Sequence, residues 1–231
     1  MIKRRALPPV LSGSILISAC ASFDARNAIS FPSTFLDYDD EILCMTPEMV
    51  SRVAVLIRDV KPDLVITHWP YQDDTFSNHH AVTGQLALAG ITAAHGVSFE
   101  HQQPAWNVAQ VAYMICPSDY RSECLTNKGK AAYINYYVDV TDVIEIKIRA
   151  IHQMKSQKYD TEGLANKTAE IWNGNLGMRF RVPYAEGFAI EYPEMGRVIS
   201  ISDHRMRIAR GDERELLKAA ADSRAMDVKL P

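Results

Sequence analysis

Between Thr46 and Val60 the apolar positions follow helical spacing. Met49, Val53, Leu56, Ile57 and Val60 fall at i, i+4, i+7, i+8 and i+11, which predicts one apolar stripe on a helix. Thr46-Pro47-Glu48 supplies its start: a hydroxyl N-cap, a proline at the first helical position and an acid in the first turn. Lys61-Pro62-Asp63 stops it, and Leu64-Val65-Ile66-Thr67 follows as a short β-branched run, the pattern of a buried parallel strand. A polar loop runs from His68 to Asn78. Residues 79–94, rich in alanine and leucine, predict a second helix. Further strands are predicted at 108–115 and 134–140, and Asp142 with Glu145 predicts a capping box for a helix reaching Gln157. Upstream, residues 24–30 read as a helix end, 31–36 as the opening of a strand and 37–41 as an acidic turn. Helices alternating with strands predict an α/β sheet with helices on its faces.

The two ends differ in pattern. Residues 191–231 hold two arginine-rich patches and one helical stretch, Glu213–Ala221, and are read as a C-terminal extension. Residues 1–22 form an atypical leader. A basic head (Lys3, Arg4, Arg5) precedes a mostly apolar run ending in Ile17-Ser18-Ala19-Cys20. This is the layout of a secretory signal, and its last four residues resemble a bacterial lipobox. The run is shorter than the ~20 residues that span a bilayer, and Pro8 and Pro9 interrupt it. The main domain is then expected at 23–190.

Composition adds exclusions. With 47% apolar and 23% charged residues over 231 positions, the chain has the balance of a folded domain and not of a disordered one. A net charge of -3 gives no electrostatic case for nucleic acid. The four cysteines (Cys20, Cys44, Cys116, Cys124) form no CxxC pair, so they are read as mostly reduced thiols.

The chemistry concentrates in Lys61–Leu88. A buried strand ends at Thr67, and the loop beyond it carries His68, Asp73, Asp74, His79 and His80. In open α/β sheets the functional crevice lies beyond the carboxyl ends of the strands. Imidazoles and carboxylates gathered there suit a divalent ion such as zinc; a solvated polar loop feeding a helix is the plainer reading.

This stretch resembles the LmbE-like, or PIG-L-type, N-acetylglucosaminyl deacetylases. The family's second signature is a strand, TH, a loop, and HPDHRAV opening a helix. Here Pro62-Asp63-Leu64-Val65-Ile66-Thr67-His68 matches the strand, and Phe76-Ser77-Asn78-His79-His80-Ala81-Val82 falls on HPDHRAV. Phe35–Glu41 with Thr46-Pro47-Glu48 is similar to the family's FLxxxDGEL…TPE segment. Val138–Lys147 is similar to YDITDVIExK, and Ser156-Gln157 and Tyr184–Phe188 fit the closing SQ and YAExF elements. The resemblance covers residues 24–190. It implies a Rossmann-like, three-layer α/β fold with a mainly parallel sheet, and hydrolysis of the acetamide of N-acetylated sugars or glycoconjugates. It also implies one zinc ion held by two His and one Asp, with an Asp as general base and a nearby His supporting the oxyanion or the leaving amine. His79 falls on a zinc-ligand position. Asp74 lies where relatives carry an acid and orients a ligand or is a plain loop residue. His68 lines the pocket or packs.

The chain also departs from the family. Its first signature, HPDDE, is not found. Asp39-Asp40-Glu41 lacks the leading His and is read as an acidic turn. Phe76 and Asn78 replace the auxiliary His and the Asp of the second signature. Either the chain is N-terminally truncated by a strand–helix–strand unit, or it is a degenerate relative with a non-catalytic sugar-binding or interaction role. Truncation leaves a sheet edge open, so poor solubility or homo-oligomerisation through that edge is expected, with impaired activity. The expected location is cytoplasmic; the alternative is a lipoprotein anchored through Cys20.

Overall fold

The structure is a computed structural model describing residues 14–16, 36, 38, 44–71, 79–97, 102–114, 124–127 and 130–230. The chain divides into two compact units. One takes residues 36–133 with the first described strand and residues 189–192; the other takes 134–188 and 193–231.

The first unit is the α/β part. Strand β1 (Ser14–Leu16) and strand β2 (Leu64–His68) run parallel in the register Ser14↔Leu64 to Leu16↔Ile66. Strand β3 (Gln110–Met114) lies parallel on the other side of β2, from Leu64↔Gln110 to His68↔Met114. The segment read as a leader therefore contributes a strand beside β2. Beyond β3, strand β4 (Cys124–Asn127) and strand β5 (Lys130–Tyr133) make an antiparallel hairpin. Residues 189–192 close the unit, with Glu191 N–H donating to Val111 O at 2.9 Å.

Helix α1 (Pro47–Val60) starts as its sequence dictates, with the Thr46 hydroxyl accepting from Met49 N–H. The predicted stripe is partly displaced. Met49, Val53 and Ile57 are buried, whereas Val60 is 46% exposed and Arg58 is 3% exposed. Arg58 is buried because its guanidinium donates to Ala94 O (2.9 Å), Gly96 O (2.7 Å) and Gln103 O (3.2 Å). It closes the carbonyl end of helix α2 (His79–His95), where a cation also meets the negative end of the helix dipole. The core joins Met49, Val53, Ile57, Val65, Leu86, Val111 and Tyr113.

The second unit is mixed. Strand β6 (Tyr136–Asp139) pairs antiparallel with strand β7 (Ala185–Ile190), from Tyr136↔Phe188 to Asp139↔Ala185. The run predicted as one strand over 134–140 is thus shorter and antiparallel. The predicted capping box does not form. Helix α3 (Ile144–His152) has Val143 at its N-cap with no side-chain bond; Asp142 and Thr141 sit in a preceding 3-10 turn, where Asp139 Oδ1 instead accepts from Thr141 N–H at 3.0 Å. Helix α4 (Leu164–Arg179) was not expected from its sequence. Two glycines and three asparagines weaken it locally, and its burial is tertiary: Asn166 Nδ2 donates to Ala225 O and Val228 O, both at 2.8 Å, and Asn173 Nδ2 to Ala185 O at 3.0 Å.

The C-terminal residues are part of this unit. Helix α5 (Asp203–Arg210) is capped by Ser202 and helix α6 (Glu213–Ala220) by Asp212. Ala225 is fully buried in a cluster with Val140, Ile144, Ile148, Ala165, Ala169 and Tyr184. Among the described residues no helix is long and apolar enough to cross a membrane. Cys44 is exposed and free. The Asp39-Asp40-Glu41 turn, Cys20 and the 24–30 segment lie outside the described residues.

Candidate functional site

The first unit brings three imidazoles together where a buried strand hands over to a helix. β2 ends at His68, which is 3% exposed; α2 opens with His79, half-buried, and His80, 7% exposed. The His68 and His80 rings stack with centroids 4.5 Å apart and planes 25° from parallel. His79 meets His80 edge-on at 4.4 Å.

Backbone proximity sets this arrangement. A Cβ placed on Gly84 lies 2.3 Å from His68 O and 3.0 Å from Pro70 N, so only glycine lets α2 lie against the end of β2. Gln85 Nε2 donates to Pro70 O at 2.8 Å, fastening the same turn of α2 to the chain beyond the strand. The Thr83 hydroxyl donates to His79 O at 2.7 Å within the first turn.

Burial decides the charge state. The His68 imidazole is pushed down to about 3 by loss of solvent first, then by His80 and His79. It is therefore neutral at any physiological pH, the form that binds a metal ion or donates one N–H without carrying charge. Thr67, wholly buried beside it, has a hydroxyl oxygen with no hydrogen-bond partner among the described residues. Trp69 packs edge-on against Tyr113 at 4.9 Å and against Tyr71 at 5.5 Å. The Tyr113 phenol is raised far above its usual range by burial and by its hydrogen bond to the Glu191 carboxylate, so it stays a neutral donor.

Of the residues singled out by sequence, His68 and His79 come together, joined by His80. Asp74, Asp73, Phe76 and Asn78 lie outside the described residues. Glu191 was not anticipated. It follows β7 far along the chain, and only the pairing beside β3 carries it to Tyr113; no local motif signals it. The donor chemistry suits a metal ion, since neutral imidazole is a ligand form. Among the described residues no group of three His, Cys, Asp or Glu side chains converges to hold an ion. Stacked rings also direct their nitrogens along neighbouring planes and not to one point.

No protein-family profile matches the chain. Residues of the chain are 24% identical to a diacetylchitobiose deacetylase from Thermococcus kodakarensis over 160 positions, covering 69% of this chain and 51% of that protein. The chain thus spans about half the length of this curated relative. Among solved structures it is similar to GalB, the 4-carboxy-2-hydroxymuconate hydratase of Pseudomonas putida KT2440 (TM-score 0.59, 17% identity, 76% of this chain and 71% of that one). It is similar to the conserved protein TT1542 of Thermus thermophilus (TM-score 0.58, 18% identity, 77% and 74%). It is also similar to the N,N'-diacetylchitobiose deacetylase of Pyrococcus horikoshii (TM-score 0.53, 22% identity, 72% and 60%). One fold here carries both a hydratase and a deacetylase, so the fold alone does not choose a reaction. In sequence the chain resembles the LmbE-like, PIG-L-type deacetylases, and its Rossmann-like α/β fold is the one their solved relative adopts.

Proposed function

We propose that this chain derives from, and retains in impaired form, a zinc-dependent hydrolase that removes the acetyl group from N-acetylglucosamine-type sugars or conjugates. The observation that carries the reading is the cluster of His68, His79 and His80 at the carboxyl end of a buried parallel strand. The sequence likeness to a diacetylchitobiose deacetylase supports it.

In this reading His79 is a ligand of the ion. It opens α2 and is half-buried, so its ring is held while one side stays accessible. His68, fixed in the neutral form, donates its N–H to the oxygen of the scissile amide as negative charge gathers there. A neutral donor in a dry site supports such charge without rearranging. Asp74 orients a ligand or takes the proton of the attacking water. An ion held there would polarise the amide carbonyl and activate a water; with Phe76 and Asn78 standing where the family has its auxiliary His and Asp, turnover is expected below that of a full site.

Those two replacements favour a second reading, a sugar-binding protein without turnover. One experiment separates the two. The protein is incubated with N,N'-diacetylchitobiose and added zinc, and released amine is measured beside binding by calorimetry. Zinc-dependent amine release that His79→Ala abolishes supports the enzyme. Binding without release supports the second reading. Neither binding nor release overturns both.

A further inference from the structure

The segment between β7 and α5 is built unlike the rest of the described residues. Met195 is 96% exposed, Val198 80%, Ile199 97% and Ile201 66%. Among the described residues no backbone N–H or C=O of residues 193–201 makes a hydrogen bond. Residues 194–200 curve around an open concavity of about 650 Å³. Val-Ile-Ser-Ile-Ser is strongly β-prone and uncharged, and an exposed apolar run with an unpaired backbone is a template for another strand.

We infer that residues 198–202 are a dimerisation strand that pairs antiparallel with the same residues of a second copy, about a twofold axis through Ser200.

The register follows from the side chains. In an antiparallel pair, directly opposite residues share a face and interact most strongly. Centring the axis on Ser200 sets Ile199 against Ile201 of the second copy, Val198 against Ser202, and Arg197 against Asp203. Ile199 and Ile201 then share one face, so four isoleucines form an apolar patch, and Arg197 of one copy flanks it opposite Asp203 of the other at each end. Neighbouring registers lose this. Centring on Ile199 sets Ile201 against Arg197; centring on Ile201 sets Ile199 against Asp203; a half-step sets Ile199 against Ser200. Arg197 and Asp203 are both exposed, and neither has an ion pair among the described residues. The chain bends at Arg197–Val198 and turns into α5 at Asp203, while Ser202 is still extended at φ -68°, ψ 152°. The pairing strand is bounded at both ends.

A second copy is favoured over a lipid surface by the backbone. Inserting an irregular segment with unbonded N–H and C=O groups into hydrocarbon is strongly unfavourable, whereas strand pairing satisfies them. The pairing is also independent of the catalytic proposal, since none of these residues belongs to the imidazole cluster.

The test is sedimentation velocity on the full chain at about 100 µM, a concentration that reveals the weak association expected of a small interface. The wild-type chain should sediment as a dimer, and Ile199→Asp should make it monomeric with an unchanged far-ultraviolet circular dichroism spectrum. Arg197→Asp and Asp203→Arg should each weaken the dimer at least tenfold, and the double exchange should restore it. In a Cys44→Ser background, Ser200→Cys should cross-link to itself on oxidation, with peptide mapping locating the bond, and Ile201→Cys should not. A monomer at that concentration, a dimer indifferent to Ile199 and to both charges, or Ile199-dependent sedimentation of a monomer with phosphatidylserine vesicles would each overturn the proposal.

Discussion

His68 and His80, twelve positions apart in the chain, stack ring on ring at 4.5 Å across the junction of β2 and α2. Two imidazoles in face contact within a buried site cannot both carry charge. Burial chiefly drives His68 down to about 3, and the neighbouring His80 and His79 add to it.

The sign of the pH dependence follows. His68 titrates near 6.5 when unfolded and near 3 when folded, so its contribution is fully present above 6.5. It is lost as pH falls from 6.5 to 3, where the unfolded chain binds a proton that the folded chain refuses. In metal-free protein the loss over that whole range should be on the order of 5 kcal/mol. Urea titrations from pH 7 to 4 should show that slope in the wild type and a shallower one in His68→Gln.

Gly84 should be intolerant of a side chain. An added Cβ would lie 2.3 Å from His68 O, a backbone atom that cannot swing away. Gly84→Ala should cost ~1–3 kcal/mol, as overpacking does, and should lower sugar binding or turnover by shifting α2 from the end of β2. Gly96→Ala, whose added carbon meets nothing nearer than 3.4 Å, is the control. Equal effects from the two replacements would contradict this account.

Arg58 should be among the more sensitive positions of α1. It donates to three carbonyls at and beyond the end of α2, and hydrogen bonds to a charged group are each worth more than neutral ones. Arg58→Ala should cost ~2–4 kcal/mol. Arg58→Lys should recover little of it, because an ammonium lacks the planar fork. Chemical denaturation of the three proteins measures both differences.

Tyr184 tests the second unit. It is fully buried, and its hydroxyl donates to Glu170 Oε2 and accepts from Ala225 N–H, both at 2.8 Å. Burial, chiefly, raises its phenol to about 12. Its contribution is complete below pH 10 and is lost as pH rises from 10 through 12. Tyr184→Phe should flatten that alkaline limb and cost ~1–3 kcal/mol at pH 8 by leaving the Ala225 N–H without a partner. An alkaline limb identical in both proteins would contradict it.

Legibility in the sequence was greatest where a local rule acts alone. Thr46-Pro47-Glu48 starts α1 because cap, proline and acid all act within one turn. Leu64–Thr67 reads as a buried parallel strand because a short β-branched run has few other uses, and it extends one residue to His68. Legibility failed where a partner far along the chain decides. Val60 fits the α1 stripe but is exposed, and Arg58 breaks the pattern but is buried, because only the end of α2 supplies the carbonyls that accept its charge. The capping box at Asp142 and Glu145 gave way to an Asp139–Thr141 turn at the end of β6.

The sequence by itself determined that a buried strand ending at Thr67 is followed by a loop opening on His68 and then by a helix beginning with two more histidines. Strand period, loop length and helix signals are local, and they are read from neighbouring residues. Tertiary structure alone decided that His68 and His80 would stack, that His68 would be neutral and that Glu191 would meet the Tyr113 phenol. Those outcomes depend on how closely α2 approaches β2, which the bare backbone of Gly84 permits, and on how much water the packing removes. Distance and dielectric are properties of the folded chain and have no local code.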